Sequence, residues 1–279
     1  MQAAASAPAV QPEPSPESMF ITEPDGDNVV ITGFKTDDEY FTPNAVISET
    51  ICGKNVVGLK NYNSGASMPG ADQVTSLDTS LCTSLTIDSF AFYECTALKS
   101  VDLSKCIYVG NDAFRDCTGI TKVTWPTDKM TTIPKYCFYR CTSLKTFNSD
   151  TEGVCDLTGI TSVGSSAFRG CTGITGSIDL SQCTSVGNYA FSGCTGIESV
   201  TFPAEKGYTI GSAAFFDTGI SGSVDLSQCT SVGNYAFNDC TGISGSVNLS
   251  QCTYVGNNAF SGCTGITGSV DLSQCTSVG

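Results

Sequence analysis

The 279-residue sequence contains no histidine. That absence removes the Ser/His/Asp and Cys/His nucleophile arrangements and every imidazole-ligated metal site. Cations are scarce as well, with Lys+Arg 13 against Asp+Glu 27 and a net charge of −14, and Lys206 is the only cationic side chain after Arg169. A nucleic-acid groove needs clustered Lys and Arg, and so does attraction to an anionic membrane surface, so both partners are disfavoured. No run reaches the roughly 18 to 20 apolar residues of a spanning helix, so no membrane insertion is expected in this segment. Met1 to Ser18 also lacks the charged start and apolar stretch of a signal peptide. Two starts fit: a mature exported protein whose signal has been removed, and an intact cytosolic one.

What is present is enough apolar material for a core, 40% of residues with 9% aromatic, in a length that allows one or two compact domains. Ala3 to Ala5 and then Pro8, Pro12, Pro14 and Pro16 among Ser and Glu read as a disordered Pro/Ser/Glu-rich tether over residues 1–27. Beyond it the dominant feature is repetition. Phe92, Phe114, Phe138, Phe168, Phe191, Phe215, Phe237 and Phe260 recur at intervals of 22, 24, 30, 23, 24, 22 and 23 residues. Val or Ile stands five before each of them, from Ile87 to Val255, and a branched aliphatic follows each, from Leu98 to Ile266. Units too short to form their own core must stack on their neighbours, which is the mark of a solenoid.

Each unit also carries an alternating triplet such as Val101-Asp102-Leu103, Ile178-Asp179-Leu180 or Val270-Asp271-Leu272. Period two predicts a short strand whose outer members turn inward and whose middle member faces water. Leu98-x-x-Val101-x-Leu103-x-x-Cys106 has the form of a leucine-rich-repeat strand. The expected fold is a β-rich α/β solenoid over residues 75–279, a curved array with one short parallel strand per repeat of roughly 23 residues. Turns or short helical segments around Ala-Phe-x-x-Cys-Thr would return the chain. Residues near Phe147 to Val154 form an insertion, and the units with Trp125-Pro126 and Phe202-Pro203 are two residues longer. Trp125 replaces a strand Leu and is read as core.

Val186-Gly-Asn-Tyr-Ala-Phe191-Ser-Gly-Cys194-Thr-Gly-Ile197, repeated eight times with variation, resembles the BspA-like leucine-rich repeats of bacterial surface antigens, also found in mucosal protozoa. Residues 28–74, with Val29-Val30-Ile31 and Ile51 to Leu59, resemble the degenerate first unit of such arrays and are expected to form an amino-terminal cap. The sequence departs from the family in Gly-Ser-Val-Asp-Leu-Ser-Gln-Cys, which enriches the concave face in Ser and Asp. The resemblance implies a secreted or cell-surface protein that binds host or microbial macromolecules. It supplies no ligand residue that transfers to this chain.

Sixteen cysteines in an exported protein suggest disulfides, but their placement argues otherwise. Seven lie three after a repeat Phe, and Cys106, Cys183, Cys229, Cys252 and Cys275 fill the slot after the strand. Cysteine exchanges with apolar residues there, as a small buried hydrophobe does, and its S–H can donate to a backbone carbonyl. Zinc would need paired clusters, and the nearest approach is Cys137-x-x-x-Cys141 alone. No metal or other cofactor is expected.

The strand-centre column runs Asp102, Thr124, Asp156, Asp179, Thr201, Asp225, Asn248 and Asp271. On a concave ladder these would form an acidic, hydroxyl-rich strip able to meet an extracellular protein or a glycan. The plainer reading is that exposed strand positions must be polar. An enzyme is disfavoured, because a repeated exposed strip offers no carboxylate a distinct environment. A non-catalytic binding module is expected, with a structural spacer displaying another domain as the alternative. Gly279 falls where Asn-Tyr-Ala-Phe would follow, so a truncated array is also expected.

Overall fold

A computed structural model describes residues 13–63, 65–205 and 207–279. Their chain winds as a β-solenoid in which each rung contributes two short strands and one column of turns. The first ladder runs through Asn44–Val46, Ser76–Asp78, Ser100–Asp102, Lys122–Thr124 and Thr146–Phe147 in parallel register, and of these Ser100–Asp102 and Lys122–Thr124 are strands the alternating triplets predict. It resumes as Gly176–Asp179 with Ile197–Thr201, and again as Gly222–Asp225, Ile243–Asn248 and Gly265–Asp271. The breaks fall at the insertion before Cys155 and at Phe202-Pro203, where extra residues carry the chain out of register.

The second ladder was not expected. The Val or Ile five before each Phe is itself in a strand, as in Ser162–Val163, Ser185–Val186, Tyr208–Ile210 and Cys229–Val232, paired in parallel from rung to rung. The expectation of one strand per repeat is therefore corrected to two. The Gly after this Val or Ile donates its N–H to the carbonyl one rung back, as Gly187 does to Val163 at 2.8 Å and Gly211 to Val186 at 2.8 Å. A Cβ on Gly187 would lie 2.6 Å from the Ser165 nitrogen, so the close approach requires glycine. Pro134 occupies this slot in one rung and has no N–H to give. There the ladder is interrupted: Cys106–Val109 pairs with Leu85–Ile87 but not with Thr132–Ile133.

The α/β description and the helical returns are also corrected. Among the described residues helix is limited to two 3-10 turns, Glu17–Met19 and Ala71–Gln73. The return around each Phe is a run of tight turns flanked at two before and two after by left-handed residues, for example Tyr189 (φ 58°) and Gly193 (φ 74°) around Phe191. A left-handed residue cannot continue a right-handed helix. Its N–H turns outward along the solenoid instead: Tyr189, Phe191 and Gly193 donate to the carbonyls of Ser212, Ala214 and Phe216, each at 2.8 Å. The intervening Ala190, Ser192 and Cys194 donate back inside the turn. Every rung is thus tied to the next on a third side.

Inside, the repeat phenylalanines stack face to face, with centroids 5.4 Å apart for Phe92–Phe114, 5.4 Å for Phe168–Phe191 and 5.2 Å for Phe215–Phe237. Burying each ring contributes about 2 to 3 kcal/mol, and each stacked pair about 1 kcal/mol more. Trp125 is buried as expected and donates Nε1–H to the Met130 carbonyl at 2.9 Å.

At the amino-terminal end, Phe20–Asp25 pairs antiparallel with Asn28–Phe34, which pairs in parallel with Lys54–Leu59 and through it with Leu85–Ile87. The tether expected over residues 1–27 is corrected for residues 17–25, where buried Met19 and Phe20 anchor the chain. Residues 1–12 of that tether lie outside the described residues.

Candidate functional site

Asp102, Thr124, Asp179, Thr201, Asp225, Asn248 and Asp271 all sit in first-ladder strands. Their in-register pairs are Asp102 with Thr124, Asp179 with Thr201, and the trio Asp225, Asn248 and Asp271. Asp78 extends the first pair and is a member that the sequence reading missed, although Ser76-Leu77-Asp78 carries the same Ser-apolar-Asp frame. Asp156 stands apart: Cys155 bridges to Phe147 within the insertion, and neither Thr124 nor Asp179 is its register partner. The column is therefore three short strips and one separate carboxylate.

Most members already have a local task. Oδ1 of Asp102, Asp156 and Asp179 accepts the N–H two residues on, from Ser104, Thr158 and Ser181, each at 2.8 Å. Asp225, Asn248 and Asp271 do the same with Ser227, Ser250 and Ser273 at 2.9, 3.2 and 3.0 Å. These are Asx turns that take the chain off the strand. At Asp271 that N–H bond stabilises the charged form and holds the carboxyl below the usual carboxylate range. The two Thr members confirm the rule by exception. Thr124 and Thr201 are each followed two residues later by proline, Pro126 and Pro203, which has no N–H to offer. Each Asx turn commits one side-chain oxygen, and the exposed row Asp225, Asn248, Asp271 with Ser223, Ser246 and Ser269 faces water.

The sixteen cysteines are all free thiols, fourteen of them buried. In the Phe column every Sγ from Cys117 onward donates to the Phe carbonyl one rung back, as Cys117 to Phe92 at 2.8 Å, Cys194 to Phe168 at 3.0 Å and Cys240 to Phe215 at 3.0 Å, while Cys95 reaches the Tyr93 carbonyl at 3.7 Å. Burial disfavours the thiolate and pushes Cys106, Cys183 and Cys194 up to about 12. Such thiols are core, with no nucleophile to offer at neutral pH. Cys52 is exposed, and its thiol faces a Glu17 carboxylate oxygen at 3.4 Å.

Two ladders of short parallel strands, one stacked-Phe core and a Cys column bonded to it define a leucine-rich-repeat solenoid. Residues 73–176 and 161–279 match the BspA type leucine rich repeat region in six copies, and the chain belongs to that family. Among solved structures it is similar to the leucine rich repeat protein of T. pallidum, at 20% identity over 74% of this chain and 89% of that one, with a TM-score of 0.50. This likeness supports the fold. A leucine rich cell surface protein of Faecalibacterium prausnitzii A2-165 is 17% identical over 96% of this chain and 56% of its own, with a TM-score of 0.47. No curated protein matches the chain.

Proposed function

We propose that the chain is a non-catalytic binding module at a cell surface, contacting an extracellular protein or glycan through the outward face of its first ladder. The observation that supports this most is the exposed row Asp225, Asn248, Asp271 with its serines, set at strand spacing on a rigid apolar backing. Polar groups fixed in this way lose little freedom when a partner binds. Membership in the BspA-type family supports the surface location. Within this reading, residues 28–74 with the antiparallel strand Phe20–Asp25 serve as the amino-terminal cap, covering a ladder edge that would otherwise be open.

A second reading, a spacer that displays another domain, is favoured by the Asx turns, since they explain the Asp column without any ligand. Immobilised matrix proteins, mucins and glycans, probed at low and high salt, separate the two. Saturable binding that falls with salt and is lost in D179N/D225N/D271N supports recognition by this strip. Asn keeps the turn acceptor while removing the charge, so loss of binding would not reflect a damaged strand. Wild-type chain that binds none of the panel supports the spacer.

A further inference from the structure

From Phe92 to Phe168 the side chain one residue past each stacked Phe lies at the surface of the turn column, half-buried or exposed. On four successive rungs this position holds Tyr93, Arg115, Tyr139 and Arg169, an alternation of ring and guanidinium. Their contacts are continuous. The Arg115 guanidinium lies 5.6 Å from the Tyr93 ring centre and 5.0 Å from that of Tyr139, and Arg169 lies 6.0 Å from Tyr139 and 4.9 Å from Tyr189. Tyr136, 5.6 Å from Arg115, and Tyr189 are exposed bulky residues held at φ 55° and 58°. That backbone region costs a non-glycine residue on the order of 1 kcal/mol, so both rings are kept here against a local preference.

The arginines differ in what they leave free. Arg115 is engaged by Asp112 at 3.1 Å and Asp116 at 3.3 Å, and Arg140 reaches Asp116 at 3.6 Å with most of its side chain in water. Arg169 is exposed and has no ion-pair partner among the described residues. A guanidinium already laid on two rings has surrendered its rotamer freedom, and its planar fork suits a carboxylate or sulfate. The charge distribution agrees. Residues 88–170 contain nine cations and nine anions and include all three arginines, whereas the rest of the chain has 4 − 18 = −14. A polyanion is repelled least along this stretch.

We propose that this tyrosine–arginine ladder is a second interaction face, separate from the strand ladder, and that its ligand is an acidic polysaccharide. A peptide strand cannot add to it, because its backbone donors are already used: Glu94, Asp116 and Arg140 donate to the Arg115, Tyr139 and Arg169 carbonyls at 2.8, 2.8 and 2.7 Å. A nucleic-acid strand carries an anion on every residue and needs a strongly positive groove, which this neutral band does not supply, whereas a polysaccharide with an acid group on alternate sugars requires fewer cations along its length. Rings, phenolic hydroxyls and guanidinium groups repeating rung by rung along a rod match a chain of sugar rings that carries regularly spaced anions. The proposal does not depend on any role for the Asp column.

The test is equilibrium binding of the full chain to hyaluronan and polygalacturonate, which carry carboxylates, and to dextran sulfate, with neutral dextran, polyglutamate and oligo-dT alongside. The expected result is saturable binding to a carboxylated or sulfated polysaccharide and none to dextran. Binding should weaken by about tenfold or more in R140Q/R169Q and stay unchanged in D225N/D271N. Both arginines are exposed, so the double variant should fold, and an unchanged circular dichroism spectrum checks this. No binding to any acidic polysaccharide, or equal binding by R140Q/R169Q, overturns the proposal. Stronger binding to polyglutamate or oligo-dT than to the polysaccharides also overturns it.

Discussion

In residues 88–170 the position after the stacked Phe holds Tyr93, Arg115, Tyr139 and Arg169; in residues 171–279 it holds Ser192, Phe216, Asn238 and Ser261. The first stretch contains the insertion and the Pro134 break in the second ladder, whereas from Ser162–Val163 to the carboxyl-terminal end that ladder is unbroken. Yet the interior is the same in both, with Phe92 to Phe260 stacked at near-constant spacing and the Cys Sγ atoms bonded to the carbonyls behind them. Solenoid stacking fixes the inward columns in every rung, while the outward columns of each rung vary independently. Core changes should therefore act alike in the two stretches and surface changes should not.

The largest test is alkaline pH, which acts on both stretches together. Cys106 in the first and Cys183 and Cys194 in the second are pushed from 9.0 up to about 12 by burial. Between those values the folded chain keeps protons that the unfolded chain releases, so stability falls as pH rises above about 9. Each such thiol removes up to about 1.4 kcal/mol per pH unit, and several act in concert. Urea unfolding followed by circular dichroism at pH 8 and pH 10 checks this, and equal midpoints would contradict it.

Phe114→Ala and Phe237→Ala come next, each expected to cost about 3 to 5 kcal/mol in urea unfolding. A large inequality would break the claim of one continuous core.

Smaller effects separate turn from charge. Asp179→Ala should cost about 1 kcal/mol through loss of the Ser181 N–H acceptor, while Asp179→Asn should be near neutral because its amide oxygen can replace the carboxylate oxygen. Equal costs would show that the charge, not the turn, matters to stability. The smallest effect bears most directly on the surface difference. Tyr235→Asn relieves a left-handed residue at φ 58° and should stabilise by about 0.5 to 1 kcal/mol. Tyr189→Asn relieves the same strain but loses the Arg169 contact at 4.9 Å, so its net change should be close to zero. Equal shifts in melting temperature for the two variants would remove the energetic argument for the tyrosine–arginine ladder.

Much of this architecture could be read from residue order because burial repeats with the rung. The Phe column, the Val-x-Leu strands and the exchange of Cys with apolar residues all report inward positions, where packing admits few residue types. The second ladder stayed hidden because its repeat strands run from two residues, as in Ser162–Val163 and Ser185–Val186, to four in Cys229–Val232, too short to display a period. The turn function of the strip was legible in Asp-Leu-Ser and in the replacement of Asp by Thr before Pro126 and Pro203, once the strand ends were known.

The amino-acid sequence by itself determined that this chain is a repeat solenoid with a Phe–Cys core, because single units cannot bury their own apolar residues. Only the tertiary structure decided what the turn column is and what it presents. Ala-Phe-x-x-Cys fits a helical turn as well as a tight one, and the choice rests on N–H bonds to a rung more than twenty residues away, as from Tyr189 to Ser212. Those bonds hold Tyr189 left-handed, and the stacking of rungs then brings Tyr93, Arg115, Tyr139 and Arg169 from four separate repeats into one ladder.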